Sequence, residues 1–288
     1  MIKATIIIIT YNMGNQINKA IMSVLSQTER NFELLIIDDG STDNTKQILN
    51  EINDKRINYI QTYKNSGKSF ARNNAIKKSK SNFLFFTDAD CIVTKNWLKS
   101  GLKSLENNNC VGVEGRIFYI SKKYKRTYSD RVVQNLYGGE YMTANMAYKK
   151  DVLLKVGLFN SLYKRNQDRD LALRAKKLGK IYFDPHMIVY HSQSKWTPHA
   201  YLESGSWVYY RVLLFFKKYN EKYDMIWRIY APLKLVCILF PPLLLIKLFT
   251  GVYETKNDFI IFFLLYPKLL YERFILWKYC FKEKIFII

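Results

Sequence analysis

Thr5-Ile6-Ile7-Ile8-Ile9-Thr10-Tyr11-Asn12, Phe32-Glu33-Leu34-Leu35-Ile36-Ile37-Asp38-Asp39 and Phe83-Leu84-Phe85-Phe86-Thr87-Asp88-Ala89-Asp90 share one plan. Each is a short, mostly apolar run, rich in β-branched or aromatic residues, that stops abruptly at polar residues. Unalternated runs of this length suit strands buried on both faces. Residues 6–9, 32–37 and 83–86 are therefore expected to be interior strands of one sheet. Between the first two, Ile17, Ala20, Ile21, Val24 and Leu25 recur at the spacing of a single helix face. Asp43 is placed to cap a helix carrying Ile48, Leu49 and Ile52. Residues 57–60 read as a short strand and 69–78 as a polar-faced helix. Strands alternating with helices imply right-handed crossovers and a mostly parallel α/β sheet flanked by helices. Ligands of such sheets bind outside the carboxyl ends of the strands. The tips there are Thr10-Tyr11-Asn12, Asp38-Asp39 and Asp88-Ala89-Asp90, three polar clusters predicted on one rim.

Further along, 96–105 and 168–178 have helical spacing, and 111–113, 117–120, 181–183 and 188–190 read as short strands, the last two around Pro185. Residues 122–126 form a basic cluster expected in a loop. The composition shifts after Trp196: 235–246 is uncharged and contains Pro241-Pro242, and 259–266 is a second apolar run, with lysines between and beyond. Neither run reaches the roughly 20 apolar residues of a spanning helix without including a lysine. Interfacial helices with snorkelling lysines and aromatic anchors fit better than a transmembrane hairpin or a buried appendage. The expected organisation is one α/β domain over 1–200 and a helical, membrane-associated region over 201–288.

The chain of 288 residues is 49% hydrophobic and 16% aromatic, which excludes a disordered chain. Its 45 Lys+Arg against 24 Asp+Glu give +21, a field that favours nucleic acid, anionic lipid or phosphorylated small molecules without choosing among them. Four cysteines lie far apart with no CxxC pair, fitting neither a zinc site nor a disulfide scaffold. A reducing, cytosolic setting is the simple reading.

Asp88 and Asp90, at i and i+2 after a strand, can reach one divalent cation and a neighbouring ribose; Mg²⁺ or Mn²⁺ binds phosphates together with one or two carboxylates. The competing reading is an acidic turn. Asp38-Asp39-Gly40-Ser41-Thr42-Asp43 is either a strand-to-helix loop with capping residues or offers one carboxylate to the ring N–H of a nucleotide base. Gly67-Lys68-Ser69 is not a phosphate loop, because Thr62 stands where the pattern needs glycine. Arg72, a turn later, is the better anion contact or carboxylate partner. In Gln167-Asp168-Arg169-Asp170, either aspartate can cap a helix; alternatively Asp168 is a general base. His191 follows a short strand, as a structural residue or a ligand, and Cys91 reads as packing.

Taken together these segments resemble the family 2 glycosyltransferases of GT-A fold. The resemblance also rests on 23–28, on Asn65-Ser66-Gly67 through Ala71-Arg72-Asn73, on Ala144-Asn145-Met146-Ala147-Tyr148, on Val156-Gly157-Leu158-Phe159 and on 167–174, in order over residues 1–195. It implies an inverting, metal-dependent transfer of a sugar from a nucleotide diphosphate donor, with a UDP-sugar favoured. Thr10, Tyr11 and Asp39 would hold the base, with Arg72 bracing Asp39 or the nucleotide. Asp88 would contact the ribose, Asp90 the metal, and His191 the diphosphate or metal. Gln167-Asp168 falls on the family's Glu-Asp motif, making Asp168 the base, with Gln167 a departure that removes one negative charge. The processive synthases of the family carry Gln-x-x-Arg-Trp. Here Gln193-Ser194-Lys195-Trp196 is one residue short and lacks the arginine, which implies single additions. The expected acceptor is a saccharide or lipid-linked saccharide in cell-surface polysaccharide or glycolipid synthesis, met at the cytoplasmic face of an anionic membrane.

Two rivals are weaker. A sugar nucleotidyltransferase would want a glycine-rich loop after the first strand, where only Gly14 stands. A non-catalytic anion or nucleic-acid binder is disfavoured by the acidic strand tips, since carboxylates repel phosphate backbones, so no nucleic acid is expected as partner.

Overall fold

The computed structural model describes residues 2–107, 109–120, 127–211, 225–226 and 229–284; the basic cluster at 122–126 lies outside the described residues. The chain divides into two compact units, one of Met1–Ile120 with Val133–Ser192 and one of Ser121–Val132 with Gln193–Ile288.

The first unit runs β1 (Ala4–Thr10), α1 (Gly14–Leu25), β2 (Phe32–Asp38), α2 (Thr45–Asn50), β3 (Ile57–Gln61), α3 (Lys68–Lys78), β4 (Phe83–Asp88), β5 (Cys91–Val93), α4 (Trp97–Asn107) and β6 (Cys110–Tyr119). After β7 (Asp130–Arg131), which belongs to the second unit, come β8 (Met146–Lys149), α5 (Lys150–Lys155), α6 (Gln167–Ala175) and β9 (Lys180–His191). Eight strands form one sheet in the order β3-β2-β1-β4-β8-β6-β9-β5. The predicted interior strands are buried on both faces. Ile6 and Ile8 pack with Ile17, Ile21, Leu34 and Trp97, whereas Ile7 packs with Leu35, Ala71, Ala75 and Phe86. Burying each such aliphatic side chain contributes about 1.5–3 kcal/mol. The predicted face of α1, from Ile17 to Leu25, is wholly buried.

The sheet is more mixed than expected. β1–β2, β2–β3, β1–β4 and β6–β9 are parallel, but β4–β8, β6–β8 and β5–β9 are antiparallel. The chain enters β8 at Met146, opposite Phe86 near the carboxyl end of β4, and so must run back down the sheet. Two further expectations change. The expected strands 111–113 and 117–120 are one strand, β6, which continues through Gly115 and ends at Tyr119. A Cβ there would lie 2.3 Å from the Met187 carbonyl and 2.4 Å from the Asn145 amide, so a glycine permits the crossing instead of breaking the strand. Likewise 181–183 and 188–190 are one strand, β9, because Asp184 pairs with Gly115 and Ile188 with Arg116, leaving Pro185 in a bulge where no ladder N–H is needed.

In the second unit, β7 pairs with β10 (Ser194–Lys195), and α7 (Pro198–Glu203), α8 (Val208–Arg211), α9 (Pro232–Leu239), α10 (Leu245–Thr250), α11 (Lys256–Phe263) and α12 (Leu265–Lys282) follow. Asp258 is buried and accepts from the amides of Ser129 (2.8 Å) and Thr255 (2.8 Å), closing a capping box on α11. No single described helix is long and apolar enough to cross a membrane. Pro232–Leu239 and Pro241–Thr250 meet that length and composition only together, bent by 116°. Leu239, Phe240 and Phe249 are exposed there, and Leu270, Phe274, Trp277 and Phe281 form an exposed stripe along α12.

Candidate active site

The register fixes the rim. Thr10 pairs with Asp38 and Ile9 with Asp88, so β1, β2 and β4 end level with one another. At the end of β2 the two adjacent carboxylates have different partners. Asp38 is buried and accepts from the Ser41 amide (2.8 Å) and the Tyr59 hydroxyl (2.8 Å), which shapes the loop. Asp39 accepts from the amides of Ser66 (2.9 Å) and Gly67 (2.8 Å). Tyr11, 45% exposed, projects at the tip of β1. Asn12 beside it has a left-handed φ of 53°, and its side-chain oxygen accepts from the Thr42 amide (2.8 Å), tying the two loops together. The sequence reading gave Asn12 no role; its tolerance of left-handed backbone was the available signal. Asp43 accepts from the Thr45 amide (3.0 Å) at the start of α2, and also from the Gly14 amide (3.0 Å) at the start of α1.

α3 links the acidic clusters. Its entry loop supplies the Ser66 and Gly67 amides to Asp39. Arg72, only 3% exposed, places Nη2 3.4 Å from Asp88 and lies over the Phe159 ring at 5.4 Å. The same guanidinium draws the Asp168 carboxyl down. Arg72 was expected as an anion contact or carboxylate partner, bracing Asp39 or the nucleotide; its carboxylate partner in the structure is Asp88, while backbone amides hold Asp39.

Asp168 lies in the first turn of α6, half-buried, behind Asn166 in a left-handed conformation. Burial pushes its carboxyl above the ordinary carboxylate value, against the opposing pull of Arg72 and of the Arg169 and Thr143 amides. A raised carboxylate is what proton abstraction near neutral pH requires. Asp170 is fully buried in an ion pair with Arg174 (2.6 Å), which gives it a structural part. Gln167 is 8% exposed, and its Oε1 has no hydrogen-bond partner, as is true of Thr10 Oγ1 at the end of β1 and Arg72 Nη1. Buried polar atoms are rarely left so, and a polar ligand would satisfy them.

β5 and β9 run antiparallel with Cys91 opposite His191, so residues far apart in sequence meet. His191 Nε2 lies 3.6 Å from Asp90 Oδ1, and the Ser192 amide donates to the Asp90 carbonyl (2.9 Å). His191 Nδ1 is 3.0 Å from the Ser192 carbonyl. Assigning the ring proton to that contact leaves the Nε2 lone pair facing a carboxylate oxygen. Two acceptors face to face call for a cation, and a ligand histidine commonly donates its other N–H in this way. Burial, then the Asp88 charge, raise Asp90, and a cation would relieve both. Cys91 completes a cluster whose ligand atoms lie within 4.8 Å of one another, but burial and then the two aspartates push its thiol far up. A neutral thiol is no ligand for a hard cation, so the residues that fit are Asp90 and His191.

The structure resembles that of the mannosyltransferase PcManGT from Pyrobaculum calidifontis in complex with GDP-Man and Mn²⁺, with a TM-score of 0.61 at 15% identity over 96% of this chain and 87% of that one. It also resembles S. aureus TarS 1-349 in complex with UDP-GlcNAc, with a TM-score of 0.57 at 20% identity over 73% of this chain and 66% of that one. In sequence, the chain is 39% identical over 138 residues to an uncharacterized glycosyltransferase of Rickettsia conorii, covering 48% of this chain and 22% of that protein. It is 32% identical over 178 residues to the Escherichia coli UDP-Glc:alpha-D-GlcNAc-diphosphoundecaprenol beta-1,3-glucosyltransferase WfaP, covering 61% of this chain and 70% of that one. The chain spans only about a fifth of the length of the Rickettsia relatives it matches. Residues 5–172 match glycosyl transferase family 2, and the chain belongs to that family.

Proposed function

We propose that this protein transfers a sugar, with inversion, from a nucleotide diphosphate donor to a saccharide or lipid-linked saccharide acceptor. The observation that carries the reading is the placing of α3, whose entry loop holds Asp39 through the Ser66 and Gly67 amides and whose Arg72 pairs with Asp88, so that one helix joins two of the acidic strand tips. Tyr11 stacks on the base, and Asp39 and Thr10 receive its polar edge. Asp88 takes the ribose hydroxyls. Asp168 accepts the proton of the acceptor hydroxyl as its oxygen attacks the anomeric carbon and the nucleotide diphosphate departs from the opposite side. Such bases contribute about 10²–10⁴-fold. A Mg²⁺ or Mn²⁺ ion held by Asp90 and His191 would stabilise the charge gathering on the departing diphosphate. Gln167, unlike a glutamate, adds no like charge beside the base.

A UDP-sugar is the favoured donor, since one carboxylate suits the single ring N–H of uracil, and WfaP carries UDP-Glc in its name. The same name supports a lipid diphosphate saccharide as acceptor. The exposed aromatic and apolar side chains of α9–α12, interleaved with lysines, support attachment to the anionic cytoplasmic face of a membrane. The test is a turnover screen over UDP-, dTDP- and GDP-sugars, with and without Mn²⁺. Mn²⁺-dependent release of UDP is expected; release from none of the donors would refute the reading.

A further inference from the structure

One exposed loop of the first unit has more buried support than a solvent loop needs. Residues 135–141 carry Tyr137 at 87% exposure, and Gly138, Gly139 and Tyr141 have φ of +84°, +90° and +54°. Left-handed backbone at a tyrosine is strained, so the surroundings must impose this shape. They do so through Glu114 of β6, which is buried. Its carboxylate accepts from the Gly139 amide (2.7 Å), the Tyr141 amide and the Asn135 side chain (2.8 Å). The Asn135 oxygen in turn accepts from the Gly138 amide (3.0 Å). A carboxylate withdrawn from water is costly unless its hydrogen bonds repay the loss, and here they all serve one loop.

The loop lies against the base. Arg169, the next residue after Asp168, donates from Nη1 to the Gly139 carbonyl (3.2 Å) and lies 4.0 Å from the half-exposed Glu140 carboxylate. Thr143, two residues past Tyr141, turns its amide toward Asp168. The nucleotide-side residues come from β1, β2, β4 and α3, whereas this loop meets the site from α6, on the side of the base. A sugar ring has one face of C–H groups and a rim of hydroxyls. A flat aromatic ring held at a fixed height suits the first, and a carboxylate suits the second.

We propose that loop 135–141 is the acceptor platform: Tyr137 stacks on the C–H face of the acceptor pyranose and Glu140 accepts from one of its hydroxyls. Glu114 acts through the loop as a positioning residue. The assignment rests on the reading of Asp168 as the base. Saturation-transfer NMR tests it with three probes at millimolar concentration, methyl α-D-glucopyranoside, methyl α-D-galactopyranoside and methyl N-acetyl-α-D-glucosaminide, in the presence of UDP and Mn²⁺. At least one probe should show transfer to its ring C–H protons in the wild type. That signal should fall at least fivefold in Tyr137→Ala and persist in Tyr137→Phe, which keeps the ring. UDP affinity by calorimetry, within twofold of wild type in both variants, reports an intact donor side. Signal undiminished in Tyr137→Ala, or absent for all three probes in a wild type that binds UDP, overturns the platform. Absence of UDP binding in the wild type would instead overturn the donor reading.

Discussion

Asp39 offers a direct measure of how the donor side is built. In Asp39→Ala the amides of Ser66 and Gly67, now 2.9 and 2.8 Å from carboxylate oxygens, lose a charged acceptor. Hydrogen bonds to a charged group are worth about 1.5–3 kcal/mol each. Ser66 is exposed and Gly67 half-buried, so water replaces part of the loss and the low end applies. Two bonds at the low end give about 3 kcal/mol, or a melting point about 6–12 °C lower for a unit of this size. Differential scanning calorimetry measures this. The isosteric Asp39→Asn keeps one acceptor oxygen and turns a donor toward the other amide, so it should fall between wild type and alanine. A melting point for Asp39→Ala within 2 °C of wild type would show that the carboxylate does not hold the entry to α3, and the linkage through that helix would fail.

Other expectations follow from the same geometry. Asp168→Asn should lower transfer by at least about a hundredfold while leaving UDP affinity intact, measured by product formation and calorimetry. Because burial raises the folded carboxyl above its unfolded value, the native state loses stability as pH rises through that window, and the neutral asparagine should melt no lower than wild type at pH 7. The same raised carboxyl sets an acid limb of the pH–rate profile above the usual carboxylate range, since the base works only when ionised. Removing the opposing charge in Arg72→Met should move that limb to higher pH, and a limb that stays in place would separate Arg72 from Asp168. Asp90→Ala should remove the Mn²⁺-dependent part of UDP affinity; an unchanged calorimetric titration would exclude it as a ligand. Sedimentation with phosphatidylserine vesicles should capture the protein and release it as salt rises. Capture indifferent to salt would leave hydrophobic insertion as the whole attachment.

The first ninety residues were legible because their physics is local. An uninterrupted apolar run such as Ile6–Ile9 has few ways to be buried except between two layers of helices, and a polar tip such as Asp88-Ala89-Asp90 ends it visibly. The rest depended on contacts between distant segments. Gly115 looks like a break between two strands until Asn145 and Met187 are seen packed over it. Pro185 looks like a terminator until the bulge beside Arg116 absorbs it. Glu114, alone amid β6, gives no sign in sequence that three donors from 135–141 converge on it. The partner of Arg72 was equally hidden, since one helical turn of reach spans either the Asp39 loop or the tip of β4, and only the packing of Phe159 decides.

The three-residue strand β5 sits at the sheet edge, and its pairing with the last residues of β9 is what sets Asp90 beside His191. Half the family-matched region is threaded between those two side chains. An ion gripping both would fasten a loop of about a hundred residues, and its binding free energy would be added to the resistance of the whole sheet to opening. Were that ion bound, chelation would make the edge strand the first part of the sheet to exchange its amides with solvent, and the clasp proposed for the leaving group would also guard the border of the fold.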